Sequence, residues 1–494
     1  MKRYANPLLL CCISIIVIHC SAPQDPEQVR LQFEAPQHVS SEVKLGITNS
    51  FDFSDSVLGL VQLDTQGVGE ITLHLTEPML AYMNVQDQGT VLYLTPGDDL
   101  NILVDTTAEN KVSFAGSGAL ANNYLLRTGA IRDKMAWSSE QPIWQLEPNA
   151  FITRLDSMRD AFEDFHTRYS DSVKLPENLD MLLKHKNRLE LITLKENYIL
   201  VHYAELTENP VLWEKLNTER TKDTNYEVPM DTAFLREALL KYDYSFALDM
   251  YLDIQVVWPL YQQMDSPAEE AKDQLPLLSD QEIRDKEYPA AIKEFLIAKN
   301  THEWMMGQGI TPVTDSLFAE FKKEYPQSEY LDPINKQYEH WLSLSSGKPA
   351  PDITGITPEG KNIALSELKG KVVYVDVWAT WCRPCIEEFP NSKSLHKQYE
   401  KNDQVTFLYV SIDRNQEAWE KMVGAGKVPE GTHMLEQAKE EDGLWQAYML
   451  SGIPRYLLID QEGKIANANA PRPSSGKIKE EIDKLMQTKV TAAL

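Results

Sequence analysis

A predicted strand that runs directly into two closely spaced cysteines constrains the fold more than any other stretch of this chain. The residues from Val372 to Trp378 are apolar and rich in β-branched and aromatic side chains, which predicts a buried strand. Cys382-Arg-Pro-Cys385 follows, and the apolar spacing after it becomes helical. The sequence therefore predicts a strand, a tight turn that carries both thiols, and a helix that begins at this turn.

The C-x-x-C spacing also occurs in zinc sites and in structural disulfides. Structural zinc takes about four ligands, but the sequence has no second C-x-x-C and no H-x-x-x-H, and His396 is alone on the same predicted helix. A bond across so few residues closes a short loop and constrains little chain entropy. We therefore interpret Cys382 and Cys385 as a redox-active disulfide pair, and we expect neither a metal nor a cofactor.

Length and charge limit the possible architecture and partners. A chain of 494 residues is too long for one hydrophobic core and suggests about three domains of roughly 100 to 200 residues each. The formal net charge is -26, and such a surface would repel a phosphate backbone. A nucleic-acid partner is therefore not expected.

The first 20 residues have the pattern of an export signal. Lys2 and Arg3 precede an apolar run from Pro7 to Ile18, which is short for a membrane span. Val17-Ile18-His19-Cys20 resembles a bacterial lipobox, which predicts lipidation of Cys20, although His19 departs from the small residue preferred there. The alternative is ordinary cleavage after Ala22.

Hydrophobic periodicity divides the remaining chain into three predicted domains. Residues 21–118 contain short alternating strands separated by turn clusters, which predicts an antiparallel, β-sandwich-like domain. Residues 119–345 carry apolar stripes at helical spacing, which predicts a central all-α domain. A small, polar, proline-containing linker leads into residues 346–494, where strands alternate with helices. This last order predicts an α/β domain with a parallel sheet.

The elements of the last domain are predicted individually. We expect strands at 371–378, 405–412, 456–460 and 464–467, and helices at 382–399, from 415, from 436 and at 474–486. A turn at 357–360 joins two further short segments. The sheet should end in a hairpin around Gln461-Glu-Gly463.

Trp381-Cys-Arg-Pro-Cys385, the preceding Val375-Asp-Val-Trp-Ala379 and the distant Gly452-Ile-Pro454 resemble thioredoxin. The wider frame, including Cys385-Ile-Glu-Glu-Phe-Pro390, is similar to the TlpA and ResA group of bacterial thiol-disulfide oxidoreductases. This resemblance covers the last third of the chain and implies a thioredoxin fold there. The dipeptide Arg383-Pro384 and the residue Arg455 depart from the family pattern, which leaves redox potential and partner choice open.

The N-terminal part has weaker family motifs. Leu94-Thr-Pro-Gly-Asp-Asp99, Phe114-x-Gly-x-Gly-Ala119 and Asn122-Asn-Tyr124 are similar to β domains that precede such thioredoxin domains in Bacteroidetes lipoproteins. The resemblance implies a multidomain lipoprotein.

The chemistry assigns roles to the cysteine pair. Disulfide exchange needs a thiolate, and the helix N-terminus at Cys382 favours that anion, so Cys382 is the predicted nucleophile and Cys385 the resolving thiol. Asp376 interrupts the apolar strand, where a buried carboxylate would have a raised pKa and could accept the proton of Cys385, as the matching aspartate does in thioredoxin. An exposed aspartate at a strand end is the alternative. The resemblance implies substrate contacts at Trp381, Ile453 and Pro454, with Pro454 as a cis proline that faces the cysteines.

Together these features predict an exported enzyme, a thioredoxin-like protein-disulfide oxidoreductase on the periplasmic side of a membrane. Its expected partners are a disulfide-containing protein substrate, a membrane thiol electron donor and, through a lipid on Cys20, the membrane itself. The alternative is a binding or scaffold lipoprotein whose N-terminal two-thirds capture a ligand, with the thioredoxin domain as a redox-sensitive lid.

Overall fold

The computed structural model describes the chain as two compact units. One comprises Met1–Glu227 with Ala233–Tyr244, and the other comprises Val228–Thr232 with Ser245–Leu494. The predicted export segment and Cys20 lie outside the described residues, so export and lipidation stay predictions. The predicted boundaries of the three domains also stay predictions. The structure describes residues 25–86, 88–107, 111–137, 141–202, 227–264, 269–437 and 443–487.

The first unit begins with two four-stranded sheets, counted over its described residues. Their orders are β4-β1-β7-β8 and β3-β2-β5-β6, and all pairs are antiparallel except β1 with β7, which is parallel. Alternate residues of each strand point into a shared apolar core, and Val29, Leu31 and Phe33 of β1 are fully buried there. The predicted β domain is confirmed. The strands are β1 (Gln28–Glu34), β2 (Glu42–Thr48), β3 (Asp55–Gln62), β4 (Val68–His74), β5 (Met79–Val85), β6 (Gln88–Leu94), β7 (Asp99–Val104) and β8 (Val112–Gly116).

Two glycines make the turn from β8 into the first helix possible. Gly116 and Gly118 have φ values of 96° and 79°, a backbone region that residues other than glycine rarely adopt. A Cβ on Gly116 would lie 2.1 Å from the carbonyl oxygen of Asp99, and one on Gly118 would lie 2.7 Å from the Asp98 carboxylate. The two family motifs in this region therefore meet at one tight turn.

Adjacent asparagines on helix α1 (Ala119–Ala136) each pair with one residue at the outer edge of a sheet. The Asn122 side chain accepts a hydrogen bond from the Tyr93 N–H and donates one to the Tyr93 carbonyl oxygen, both at 2.8 Å. Asn123 accepts from the Phe114 N–H at 3.3 Å and donates to its carbonyl oxygen at 2.9 Å. Tyr93 lies on β6 and Phe114 on β8, so each asparagine satisfies an edge strand as a neighbouring strand would.

Helices dominate the chain from α1 to the C-terminal sheet. In the first unit, the buried Tyr124 hydroxyl is 2.9 Å from His166 Nδ1 and accepts a hydrogen bond from Asn187 at 2.6 Å, which ties three helices together. The central helical region is confirmed. After α1 the described helices are α2 (Pro148–Val173), α3 (Glu177–Val201), α4 (Ala238–Leu252), α5 (Trp258–Gln262), α6 (Glu269–Asp285), α7 (Ala290–Gln308), α8 (Pro312–Glu324) and α9 (Leu331–Ser343).

The C-terminal sheet has the order β10-β9-β13-β12-β11-β14-β15. Strands β11, β12 and β13 are parallel, and β14 and β15 continue as an antiparallel hairpin. All seven residues of β11 are buried, as expected for a central strand covered on both faces. The strands are β9 (Thr354–Ile356), β10 (Asn362–Ala364), β11 (Val372–Trp378), β12 (Val405–Ser411), β13 (Thr432–Glu436), β14 (Arg455–Ile459) and β15 (Ile465–Asn467).

The predicted thioredoxin-like arrangement is confirmed, with one local difference. Glu436, predicted to start a helix, is the last residue of strand β13, which pairs with β12 and β9. A strand of five residues has too short an apolar run to be distinguished from a helix start by periodicity. The helices of this part are α10 (Arg383–Tyr399), α11 (Gln416–Gly424), α12 (Leu444–Ala447) and α13 (Ile478–Gln487). Within the described ranges, no helix has the length and apolar character needed to cross a bilayer.

Candidate active site

The two cysteines form a disulfide at the start of helix α10. Cys382 is the N-cap residue, and its Sγ accepts a hydrogen bond from the Cys385 N–H at 3.2 Å. Cys382 is 4% exposed and Cys385 1%, so both residues are buried and Cys385 slightly more so. On reduction, the same N–H group and the positive end of the helix dipole face Cys382 Sγ and favour a thiolate there.

Asp376 occupies the centre of β11 and is 2% exposed. One carboxylate oxygen accepts a hydrogen bond from Ser392 Oγ of α10 at 3.4 Å, whereas the other has no hydrogen-bond partner among the residues that the structure describes. Burial raises the pKa of Asp376 to about 8, the Ser392 hydrogen bond acts in the opposite direction, and the charge of Glu388 adds to the increase. The group is therefore mostly protonated at pH 7 and can exchange a proton near neutral pH.

Glu388 is a buried acid that the sequence did not assign to the site. Its sequence position was equally consistent with a solvent-facing site on a helix, but the residue is only 9% exposed. Its carboxylate accepts hydrogen bonds from Ser474 Oγ at 2.6 Å and from the Ser474 N–H at 3.2 Å. The Arg472 guanidinium lies 4.0 Å away. Glu388 thus connects α10 to the turn before α13 and places a second acid close enough to affect Asp376.

Asp413 holds the turn that precedes Cys382. Its carboxylate accepts hydrogen bonds from the Thr380 N–H at 2.9 Å and the Thr380 hydroxyl at 2.6 Å, and the Ser411 hydroxyl donates a third at 2.7 Å. Asp413 is buried, and its three donors satisfy it at the carboxyl end of β12. Sequence reasoning missed this residue, because an aspartate two residues after a serine carries no spacing that indicates its distant partner.

The residues expected to contact substrate occupy two loops. Trp381 is 66% exposed immediately before Cys382. The Ile453–Pro454 peptide bond is cis, and Ile453 packs against the apolar cluster that contains both cysteines. The fold therefore brings Ile453 to the cysteine cluster, while Trp381 presents a large apolar surface to solvent beside it.

Arg455 follows Pro454 and lies on the opposite face of the sheet. Tyr456 belongs to the cysteine cluster, so its neighbour Arg455 points away from it. The guanidinium lies 5.4 Å from the ring centre of Trp341 and donates one hydrogen bond, to Gly307 O at 3.4 Å. Burial lowers its pKa to about 10, and its Nε and one terminal nitrogen have no hydrogen-bond partner among the described residues.

Among the described residues, the spacing of metal ligands occurs in one group: Asp25, Glu27 and His74 of the first unit, all exposed. Exposed acids of this kind are common without an ion, and the cysteine pair is not part of the group.

Comparison with known proteins identifies the C-terminal domain. The family model described as Redoxin matches residues 345–484. The thiol-disulfide oxidoreductase ResA of Bacillus anthracis is 31% identical over 122 residues, which cover 25% of this chain and 68% of that protein. The chain belongs to the ResA family of thiol-disulfide oxidoreductases. ResA of Bacillus subtilis (strain 168) is 32% identical over 123 residues, or 25% of this chain and 66% of that protein.

Solved structures are also similar to part of the chain. The thioredoxin domain of a thiol-disulfide oxidoreductase from Bacteroides vulgatus is 32% identical and covers 29% of this chain and 98% of that one, with a TM-score of 0.26. A thiol:disulfide interchange protein from a Bacteroides species is 30% identical and covers 31% of this chain and 97% of that one, also with a TM-score of 0.26. The chain spans about two thirds of the length of the curated ResA relatives. Membership of the ResA family therefore describes the C-terminal domain.

Proposed function

We propose that this protein is an exported oxidoreductase that reduces disulfide bonds in protein substrates. The observation that carries the proposal is the Cys382–Cys385 disulfide at the N-terminus of α10, on the same domain as the buried Asp376. A cysteine pair at this position can donate two electrons as a dithiol and accept two electrons as a disulfide, without a cofactor. The oxidised form is the product state of the reaction.

The proposed reaction begins with the reduced pair. The Cys382 thiolate attacks one sulfur of the substrate disulfide, which forms a mixed disulfide and releases one substrate thiolate that takes a proton from solvent. Cys385 then loses its proton and attacks Cys382 Sγ, which releases the second substrate thiolate and restores the Cys382–Cys385 disulfide. The two electrons of the dithiol pass to the substrate. The ionised form of Asp376, the minority form at pH 7 for a pKa of about 8, is the proposed acceptor of the Cys385 proton, which then passes to the released substrate thiolate.

Repeated turnover requires a donor that reduces the Cys382–Cys385 disulfide, and the donor must lie in the same compartment as the protein. We propose that a thiol carrier in the membrane reduces the Cys382–Cys385 disulfide, because an exported protein works where disulfides form and persist. The basic residues, the apolar run and Cys20 at the N-terminus support export with a lipid anchor on Cys20. Replacing Cys20 by Ser should release the protein from the membrane fraction, and a variant that stays bound would count against lipidation.

Reduction of insulin by the full chain tests the proposed activity. The parent protein should precipitate insulin chains in the presence of a thiol reductant, and Cys382→Ser should abolish this rate. Unchanged activity in Cys382→Ser, or no activity in the parent, would reject the reaction. Cys385→Ala should retain the substrate as a mixed disulfide on Cys382, which identifies the substrate after non-reducing electrophoresis.

A binding role of the N-terminal unit is the second candidate. It is favoured by a cavity of about 550 Å³ between a sheet and the neighbouring helices, within the size range of ligand sites.

A further inference from the structure

The outer edge of β6 is closed at one end and open at the other. Antiparallel neighbours direct the N–H and C=O groups of every second residue to the same side, and those of Tyr93 point away from β5 towards Asn122. The register between β5 and β6 is continuous, so the same groups of Val91 and Gly89 also point outward. Within the described residues neither has a hydrogen-bond partner on that side, and both are exposed.

The cavity lies beside this open part of the edge. Gly89, Thr90 and Val91 form its strand side, and Leu125 and Gly129 of α1 line it from the helix side. A Cβ built on Gly129 would meet no atom within 4 Å, so the middle of this helix leaves space next to the strand. The gap between strand and helix is therefore not filled by the described side chains.

Five charged side chains line the same cavity, and each is paired with an opposite charge. Lys186 Nζ lies 2.7 Å from the Asp243 carboxylate and 3.2 Å from that of Glu190, and an Arg132 terminal nitrogen lies 2.8 Å from Glu190. Asp133, also in the lining, lies 2.7 Å from the other terminal nitrogen of Arg132, so two cations oppose three carboxylates and every charge has an opposite partner. No unpaired charge is left in this group to select an ionic ligand. An uncharged hydrogen-bonding group, such as a peptide backbone, fits this lining.

We propose that an extended segment of an unfolded protein substrate binds here by adding a strand to β6. Its backbone would pair with the N–H and C=O groups of Val91 and Gly89 and continue the line of contacts that Asn122 begins at Tyr93. Alternate side chains of the segment would enter the cavity beside Gly129. The identity of the occupant as an oxidoreductase substrate rests on the proposed function, whereas the binding of an extended peptide does not.

Binding is measured without thiol chemistry. The full chain with both Cys382→Ser and Cys385→Ser is titrated into fluorescein-labelled, carboxymethylated insulin B chain, an unfolded peptide with no free thiol, and anisotropy is followed. The parent should bind saturably. Val91→Pro removes the outward N–H and should weaken binding at least tenfold, whereas Val91→Ala retains it and should stay within twofold. Gly129→Phe fills the cavity and should weaken binding tenfold, and Gly129→Ala is its matched control.

Hydrogen exchange of the parent gives a second measurement that does not depend on any variant folding. Amides of residues 88–92 should exchange at least tenfold more slowly when the peptide is present. Absent binding, equal affinity in Val91→Pro with native circular dichroism, or protection confined to other strands would overturn the proposal. Concentration-dependent dimerisation that Val91→Pro abolishes would assign the edge to a second copy of the chain and overturn it as well. Failure of insulin reduction by the cysteine-containing protein would reject the proposed function and leave this binding result unaffected.

Discussion

Replacing Asp376 by Asn should stabilise the protein, and by more at high pH than at low pH. The folded-state pKa of Asp376 is about 8 against an ordinary value of 3.8, because burial disfavours the charged form. Stability is therefore fully retained below the ordinary pKa and is lost as the pH rises towards 8. At 1.36 kcal/mol per pKa unit, the raised pKa lowers the free energy of unfolding by about 2 kcal/mol at pH 5 and by about 5 kcal/mol at pH 8. The Asp376→Asn substitution would remove this cost while keeping the side-chain volume.

The measurement is hydrogen exchange of the β11 amides in the oxidised protein at pH 5 and pH 8. Strands β12 and β14 flank β11, so its amides exchange when the sheet opens, and the ratio of rates between parent and variant gives the difference in opening free energy at each pH. Changes in hydrogen bonding by the introduced amide are independent of pH and cancel in the comparison. Asp403→Asn, at an exposed aspartate of the same domain, is the control. An Asp376→Asn advantage that is equal at both pH values would refute the reasoning.

Three further predictions concern residues that the sequence alone did not explain. Thr380→Val removes one of the two contacts to Asp413 and should lower kcat/KM for insulin reduction about tenfold, the rate equivalent of roughly 1.4 kcal/mol, whereas Thr380→Ser should retain activity; equal rates in both variants would argue against the turn-holding role. Arg455→Met should raise the thermal midpoint, because an apolar chain replaces a buried guanidinium whose desolvation is offset by no acidic partner within the described part of the chain; a lower midpoint would contradict this. Asn122→Ala should destabilise the first unit by roughly 2 kcal/mol, since it leaves the Tyr93 N–H and C=O unpaired, and urea unfolding followed by circular dichroism will show whether it does.

The parts of the fold that the sequence predicted are those with strong local patterns. The continuous apolar run of β11 specified a buried central strand, and the cysteine pair after it specified where α10 begins. The burial of Asp376 followed from the same pattern, since a single carboxylate among seven buried positions has no route to solvent along the strand. Local periodicity was sufficient in these cases because both neighbours of the strand are also in the core.

Contacts between distant segments were not predictable in the same way. Asp413 lies 33 residues from Thr380, and Glu388 lies 86 residues from Ser474. One sequence does not specify the register that brings such pairs together, so both acids were indistinguishable from surface residues. The Asn122-Asn123 pair was recognisable as part of a family motif. Its hydrogen bonds to the edge strands β6 and β8 could not be predicted, because no local sequence pattern indicates which strands pack against this helix.

The asparagine pair also affects the order in which the first unit can fold during synthesis. During synthesis, all eight strands that the structure describes before α1 leave the ribosome ahead of Asn122 and Asn123. Until that helix docks, β6 and β8 expose unpaired backbone groups that any other extended chain can join. A polypeptide ended at residue 118, the predicted domain boundary, would be held in this state permanently and should aggregate more than one extended through α1 to Ala136, which carries the two side chains that pair with Tyr93 of β6 and Phe114 of β8.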